Sequence, residues 1–146
     1  MAQQDPTILI PGAEQVIAWF GQWPSFHDAE VLTLSINREQ ESSSLLRIRT
    51  WIRTNRVDEK GLFAREHEAC VLFEFSGIKS LRIEGEDADA QNVISGLAID
   101  RTDVGTRLVM SPSYGLWGEI VATRFRVSLD PFYQVRFTTS ERKRWD

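Results

Sequence analysis

Cysteine occurs once in the 146 residues, at Cys70, and histidine twice, at His27 and His67. A single thiol excludes an intramolecular disulfide framework and a zinc knuckle. Cys70 lies in "EACVLFEFSG" among apolar residues, so a buried, inert thiol is expected there. Long hydrophobic runs are missing as well. No segment approaches the ~18 consecutive apolar residues of a membrane span. The opening "MAQQDPTILIPGAEQ" has no basic region and no long apolar core. No signal peptide and no membrane partner are therefore expected, and the expected location is cytoplasmic. Cations are not in excess. Lys and Arg number 17 against 21 Asp and Glu, a net charge of −4, which argues against a general nucleic-acid footprint. G-x-S-x-G, the P-loop, G-x-G-x-x-G and H-E-x-x-H are all absent, so no catalytic residue, metal ligand or cofactor is assigned.

What is present is enough for one domain, residues 1–146, with a sizeable core. Hydrophobic residues make up 42%, including eight Phe and five Trp, the composition of a globular chain rather than a disordered one. Ala13, Val16, Ile17 and Phe20 recur at i, i+3, i+4 and i+7, which predicts a short helix over Ala13 to Phe20, with "PG" before it and Gly21 ending it. "WPSF" then turns the chain, because Pro24 cannot continue a helix. From Asp28 the period changes to two. Leu32, Leu34 and Ile36 are expected on one face, and Thr33, Ser35 and Asn37 on the other. After the polar turn "NREQESSS", "LLRIRTWIRT" alternates again, completing a hairpin.

Asn55 to Glu68 reads as a polar loop. "ACVLFEFSG" reads as a strand broken at Gly77 and "IKSLRIEGE" as its continuation. "ADAQNVI" offers a very short helix, and "LAIDR", "TRLVMS" and "EIVATRFRVSLD" are strands, the last two separated by the turn "PSYGLWG". A final run, "FYQVRFTT", precedes the charged tail "SERKRWD". Strand signals every ten to fifteen residues predict a mainly β (α+β) fold. Antiparallel sheets would form a sandwich or partial barrel with a short N-terminal helix.

Four groups of residues invite a functional reading. His27 and Asp28 are a base and a carboxylate side by side, but neighbours on a strand point to opposite faces, so Asp28 is expected to be poorly placed to orient the ring. The ordinary role of the pair is to satisfy backbone groups at a corner. "REHEA" flanks His67 with Glu66 and Glu68, where a solvated charged loop is the ordinary reading. Arg47, Arg49 and Arg53 with Trp51 resemble a platform for phosphates or single strands. Pairing with Glu on neighbouring strands is the simpler account, and a protein partner fits Trp and Arg better than nucleic acid does. "PSYGLWGE" puts Tyr114 and Trp117 on a turn, either as contact residues or, for Trp117, folded back as a plug.

"WPSFHDAEVLTLSI", "VLFEFSGIKSLRIEG" and "QNVISGLAI" together are similar to the immunity-fifty family of bacterial polymorphic toxin systems. The resemblance runs roughly from Trp19 to Val127, with "FHDAEV" as its sharpest motif. It implies a protein that binds a cognate toxin domain and blocks it without catalysis. Trp23, Phe26, His27 and Asp28 would then be fold or interface residues. Acidic loops such as "EGEDAD" (Glu84 to Asp89) would meet a basic toxin. The alternatives are a small metal-assisted or general-base enzyme using His27, Asp28 and His67, and an accessory domain that forms a homodimer through sheet edges.

Overall fold

The computed structural model describes residues 9–39, 42–57, 61, 63–85 and 92–133. Helix α1 spans Ala13–Phe20. Six antiparallel strands follow: β1 (Ala29–Ser35), β2 (Ser44–Val57), β3 (Phe63–Glu84), β4 (Val93–Arg101), β5 (Thr106–Tyr114) and β6 (Trp117–Leu129). They close into a barrel in the order β1-β2-β3-β6-β5-β4, with β4 returning to β1. Of the two expected architectures the barrel forms, and it is fully closed. No helix among the described residues is long and apolar enough to cross a membrane.

A barrel this small is filled by its own side chains. Leu46 and Ile48 of β2, Val71, Phe73 and Phe75 of β3, Leu108 and Met110 of β5, and Ile120 and Val127 of β6 are all buried in one core. Each fully buried Phe contributes about 1.5–3 kcal/mol relative to an exposed one. Alone, an eight-residue helix is not stable. α1 holds because Ala13, Val16 and Phe20, with Leu9 and Ile10 before it, join that same core. Gly21 ends it at φ 83°, its N–H donating to Ile17 O over 2.7 Å.

Tight closure requires the strands to bend, and β-bulges supply the bends. Four of the strand pairings carry a register shift. The one in β1 overturns the expected facing of Leu32, while Leu34 and Ile36 pack on the core as expected. Val31 pairs with Ile48 but Thr33 pairs with Arg47, so Leu32 is an extra residue. The inward set is Val31 and Leu34, both packed on the core, while Leu32 is 38% exposed. One inserted residue reverses the alternation beyond it.

Other expectations shift for similar reasons. Much of the supposed polar loop, Asn55 to Glu68, is strand: β2 runs to Val57 and β3 begins at Phe63, and these two residues pair. His67 sits at a bulge there, at φ 60°, because Thr50 faces Ala69 while Ile52 faces Glu66. Gly77 kinks β3 at φ 68° without ending it. "PSY" belongs to β5, which leaves a two-residue turn, Gly115 and Leu116, before β6. β4 begins at Val93, four residues ahead of "LAIDR". The start of the proposed "ADAQNVI" helix and most of "FYQVRFTT" lie outside the described residues.

The helix is seated on β6 through a close backbone approach. Val127 N–H donates to Pro11 O over 2.9 Å, and Gly12 follows at φ 96°. A Cβ on Gly12 would stand 1.9 Å from Val127 O. Gly12→Ala is therefore expected to cost about 2–4 kcal/mol in urea denaturation, through left-handed strain plus displacement of the contact. Gly96→Ala, whose Cβ would meet nothing within 4 Å, is the control and should move stability by less than about 1 kcal/mol. Equal midpoints for the two variants would refute this seating.

Candidate functional site

The corner from Trp23 to Asp28 lies before β1, not on it, and this changes its geometry. Phe26 and Asp28 both adopt positive φ, 61° and 64°. Phe26 is fully buried, with its ring 5.7 Å from Trp23 and 6.2 Å from Phe73. Asp28 N–H donates to Ile94 O, Ala29 N–H to Phe26 O and Val31 N–H to Asn92 O. Strand alternation does not apply in a turn, and the expected divergence of His27 and Asp28 is corrected: His27 Nδ1 lies 3.2 Å from Asp28 Oδ2, both on the surface. His67 is held elsewhere, its ring edge-on to Trp19 at 6.0 Å, with Trp19 Nε1 donating to its carbonyl. Among the described residues no three His, Cys, Asp or Glu side chains gather as a metal-holding group.

The arginine row on β2 is committed to its own sheet. Arg47 donates to Asp130 from Nε over 2.9 Å and to Thr33 Oγ1 over 3.0 Å. Arg49 grips Glu30 Oε1 with Nε and Nη2, at 3.2 and 3.1 Å, and reaches Glu68 at 3.5 Å. Its guanidinium also lies over Trp51, 5.1 Å from the ring centre, and Trp51 is only 7% exposed. Tyr133 O–H closes the cluster on Glu68. Cross-strand pairing is thus what Arg47 and Arg49 do, and this face offers little uncommitted charge. The side chain of Arg53 lies outside the described residues, as does that of Tyr114.

Beneath this cluster lies Cys70, fully buried. Burial pushes its thiol from the ordinary 9.0 up to about 11; the Arg47 charge opposes this and Asp130 adds to it. The Tyr133 phenol is raised too, by burial first and then by its bond to the Glu68 carboxylate. Trp117 opens β6 half-buried, under the Arg82 guanidinium at 5.3 Å from its ring. The residue that folds inward at that turn is its neighbour Leu116, 2% exposed.

A different set of cations has no carboxylate to meet. Among the described residues Arg38, Lys79, Arg101 and Arg124 form no ion pair, whereas Arg47, Arg49, Arg82, Arg107 and Arg126 each do. All four unpaired cations line two adjoining clefts. The larger, about 650 Å³, lies between the β1–β2 turn and the Gly77 kink and holds Arg38, Lys79 and Arg124. The smaller, about 420 Å³, lies between the segment ahead of α1, strands β3 and β6 and the β4–β5 turn, and holds Arg101, Arg124 and the paired Arg126. Ser76 and Arg124 belong to both, and Arg124 Nε donates to Ser76 Oγ over 3.2 Å.

The turns at Arg38 and next to Arg101 are fixed by their own hydrogen bonds, and Lys79 and Arg124 stand within β3 and β6. Asn37 N–H donates to Ser44 Oγ over 2.7 Å, and Asn37 Oδ1 accepts from Glu39 N–H, which secures Arg38. Thr102 Oγ1 accepts from Val104 and Gly105 N–H, which secures the turn beside Arg101. Such side-chain-capped turns are local and rigid. Sequence reading passed over Arg38, Lys79 and Arg101. The available signal was their place beside turn residues, "NRE", "GIK" and "DRT", where a cross-strand acid is not guaranteed.

The two classes of arginine should separate on denaturation. Arg49→Met leaves Glu30 and Glu68 half-buried without their partner and is expected to cost about 1–3 kcal/mol. Arg124→Met should stay within about 0.5 kcal/mol. The reverse order would show that the β2 cluster does not hold the sheet. Stability should also fall in alkali. Cys70 and Tyr133 titrate higher in the folded chain than in the unfolded one, so below about pH 8 both states keep both protons and these groups leave stability level. From about pH 8 to 11 the unfolded chain loses protons first and stability declines. Cys70→Ala should remove the lower part of that slope, and an unchanged slope would refute the assignment. Compared with known proteins, the chain matches no family model, no curated protein and no solved structure.

Proposed function

We propose that this chain is a binding protein without turnover, and that it acts as an immunity protein does, by seating on a cognate toxin domain and blocking it. The observation that supports this reading is the sorting of its charges. The arginines that hold the sheet are neutralised in place, while among the described residues Arg38, Lys79, Arg101 and Arg124 form no ion pair and line one set of clefts. Uncommitted charge at fixed positions orients a protein partner and sets its register. Of the groups a catalytic reading would use, Asp28 shapes the corner where β1 meets β4 and His67 packs edge-on against Trp19. On this reading the similarity of "FHDAEV" to the immunity-fifty corner is carried by residues that shape the turn, Phe26 and Asp28.

The test is co-expression with the toxin domain encoded beside its gene. Growth should be restored, and the purified pair should elute together at one-to-one stoichiometry. Continued killing at matched expression, with no joint elution, would overturn the reading.

A further inference from the structure

We infer that the two clefts meeting at Arg124 form one groove, and that it takes an extended acidic segment of the protein partner, a run containing several Asp or Glu side chains. This rests on the binding-protein reading and adds the chemistry of what is bound. Among the described residues five cations line the groove against two carboxylates, Glu39 and Glu74, and Glu74 already faces Arg126 at 3.8 Å. The excess positive charge stands on a chain whose net charge is −4. Bulk charge would favour a basic partner; this groove selects an acidic element locally. Of the acids expected to meet a basic toxin, Glu84 faces Arg82 at 3.3 Å, and Glu86, Asp87 and Asp89 lie outside the described residues.

The spread of the cations decides between ligands. A small anion such as phosphate needs donors that converge on one point. Here they come from the β1–β2 turn, the β3 kink, the end of β4 and the middle of β6, along clefts of about 650 and 420 Å³. That is room for several residues rather than for one ion. Single-stranded nucleic acid needs exposed rings on which bases stack. The aromatic side chains in the lining, Phe75 and Phe125, are 1% and 5% exposed and stack on each other at 5.3 Å. An acidic peptide needs neither feature. Its carboxylates would find separate cations, and its intervening groups would find Ile36, Ile78 and Leu81 in one cleft and Leu9 and Pro11 in the other.

Fluorescence anisotropy with the full chain and a labelled twelve-residue peptide of alternating Glu and Ser tests this. Saturable binding is expected, weakened at least tenfold by Arg124→Glu and by Lys79→Glu and falling with added salt. Lys79 is exposed and makes no described contact, so its variant reads binding even if Arg124→Glu fails to fold. A Lys/Ser peptide and a single-stranded oligonucleotide of equal length should bind at least tenfold more weakly. Inorganic phosphate should compete only as general salt does. Absence of saturable binding, indifference to Lys79→Glu, or preference for the oligonucleotide or phosphate would overturn the inference. The growth assay separates the two readings. Full rescue by a folded Arg124→Glu chain that no longer binds the peptide would sink the groove and leave toxin neutralisation standing. Peptide binding without rescue by the unaltered chain would do the opposite.

Discussion

The barrel closes through its shortest ladder. β1 meets β4 only at Ala29 with Ile94 and Glu30 with Val93, and the backbone bonds from Asp28 to Ile94 O and from Val31 to Asn92 O extend that contact. Everything else in the sheet is adjacent along β1-β2-β3 or β4-β5-β6, joined by the long β3–β6 pairing. Without the closing contact those two halves would be an open curved sheet with two raw edges. The corner that delivers β1 to β4 is strained: two non-glycine residues at positive φ cost about 1–3 kcal/mol each. Burial of Phe26 returns about 1.5–3 kcal/mol, and its ring contacts with Trp23 and Phe73 add about 0.5–1.5 kcal/mol apiece. Asp is among the residues that tolerate left-handed backbone. These terms balance, which is why a bulky aromatic and an aspartate stand two apart at this point.

Closure also dictates where charge is paired. Mid-strand side chains on the barrel's outer wall face neighbours on both sides at fixed spacing, and opposite charges there find one another, as Arg107 does with Asp100 and Glu119. Bulges and turns break that spacing. Lys79 follows the Gly77 kink, Arg38 rides the β1–β2 turn and Arg101 ends β4. The same devices that bend the sheet into a barrel therefore place three of the four cations without an ion pair; the fourth, Arg124, is mid-strand in β6 opposite Ser76.

The helix was legible to the residue because its stripe and its flanking glycines agree; Ala13 to Phe20 is both the expected and the observed span. The strands were legible wherever alternation runs unbroken, as in Leu46–Ile48–Thr50 and Val71–Phe73–Phe75. Bulges were not, since an extra residue such as Leu32 leaves no mark on composition and shows only against its partner strand. Polar sequence hid the β2–β3 extension, because a strand pair beyond the barrel does not need to bury both faces. The His27–Asp28 contact was missed by applying strand rules one residue too early. The unpaired cations could not be found from one sequence, because being unpaired depends on what folds opposite.

A cation near other cations with no acid beside it gives the fold nothing. Repulsion among them is screened in water, yet it never becomes favourable. The β2 arginines are explained by the carboxylates they hold. Among the described residues Arg124 has only Ser76 as a side-chain partner, and Arg38, Lys79 and Arg101 have none. Charged side chains without an ion pair, held at fixed positions of a closed barrel, are where local consistency gives way to function. On that argument the proposed contact surface is the groove rather than the His27–Asp28 corner.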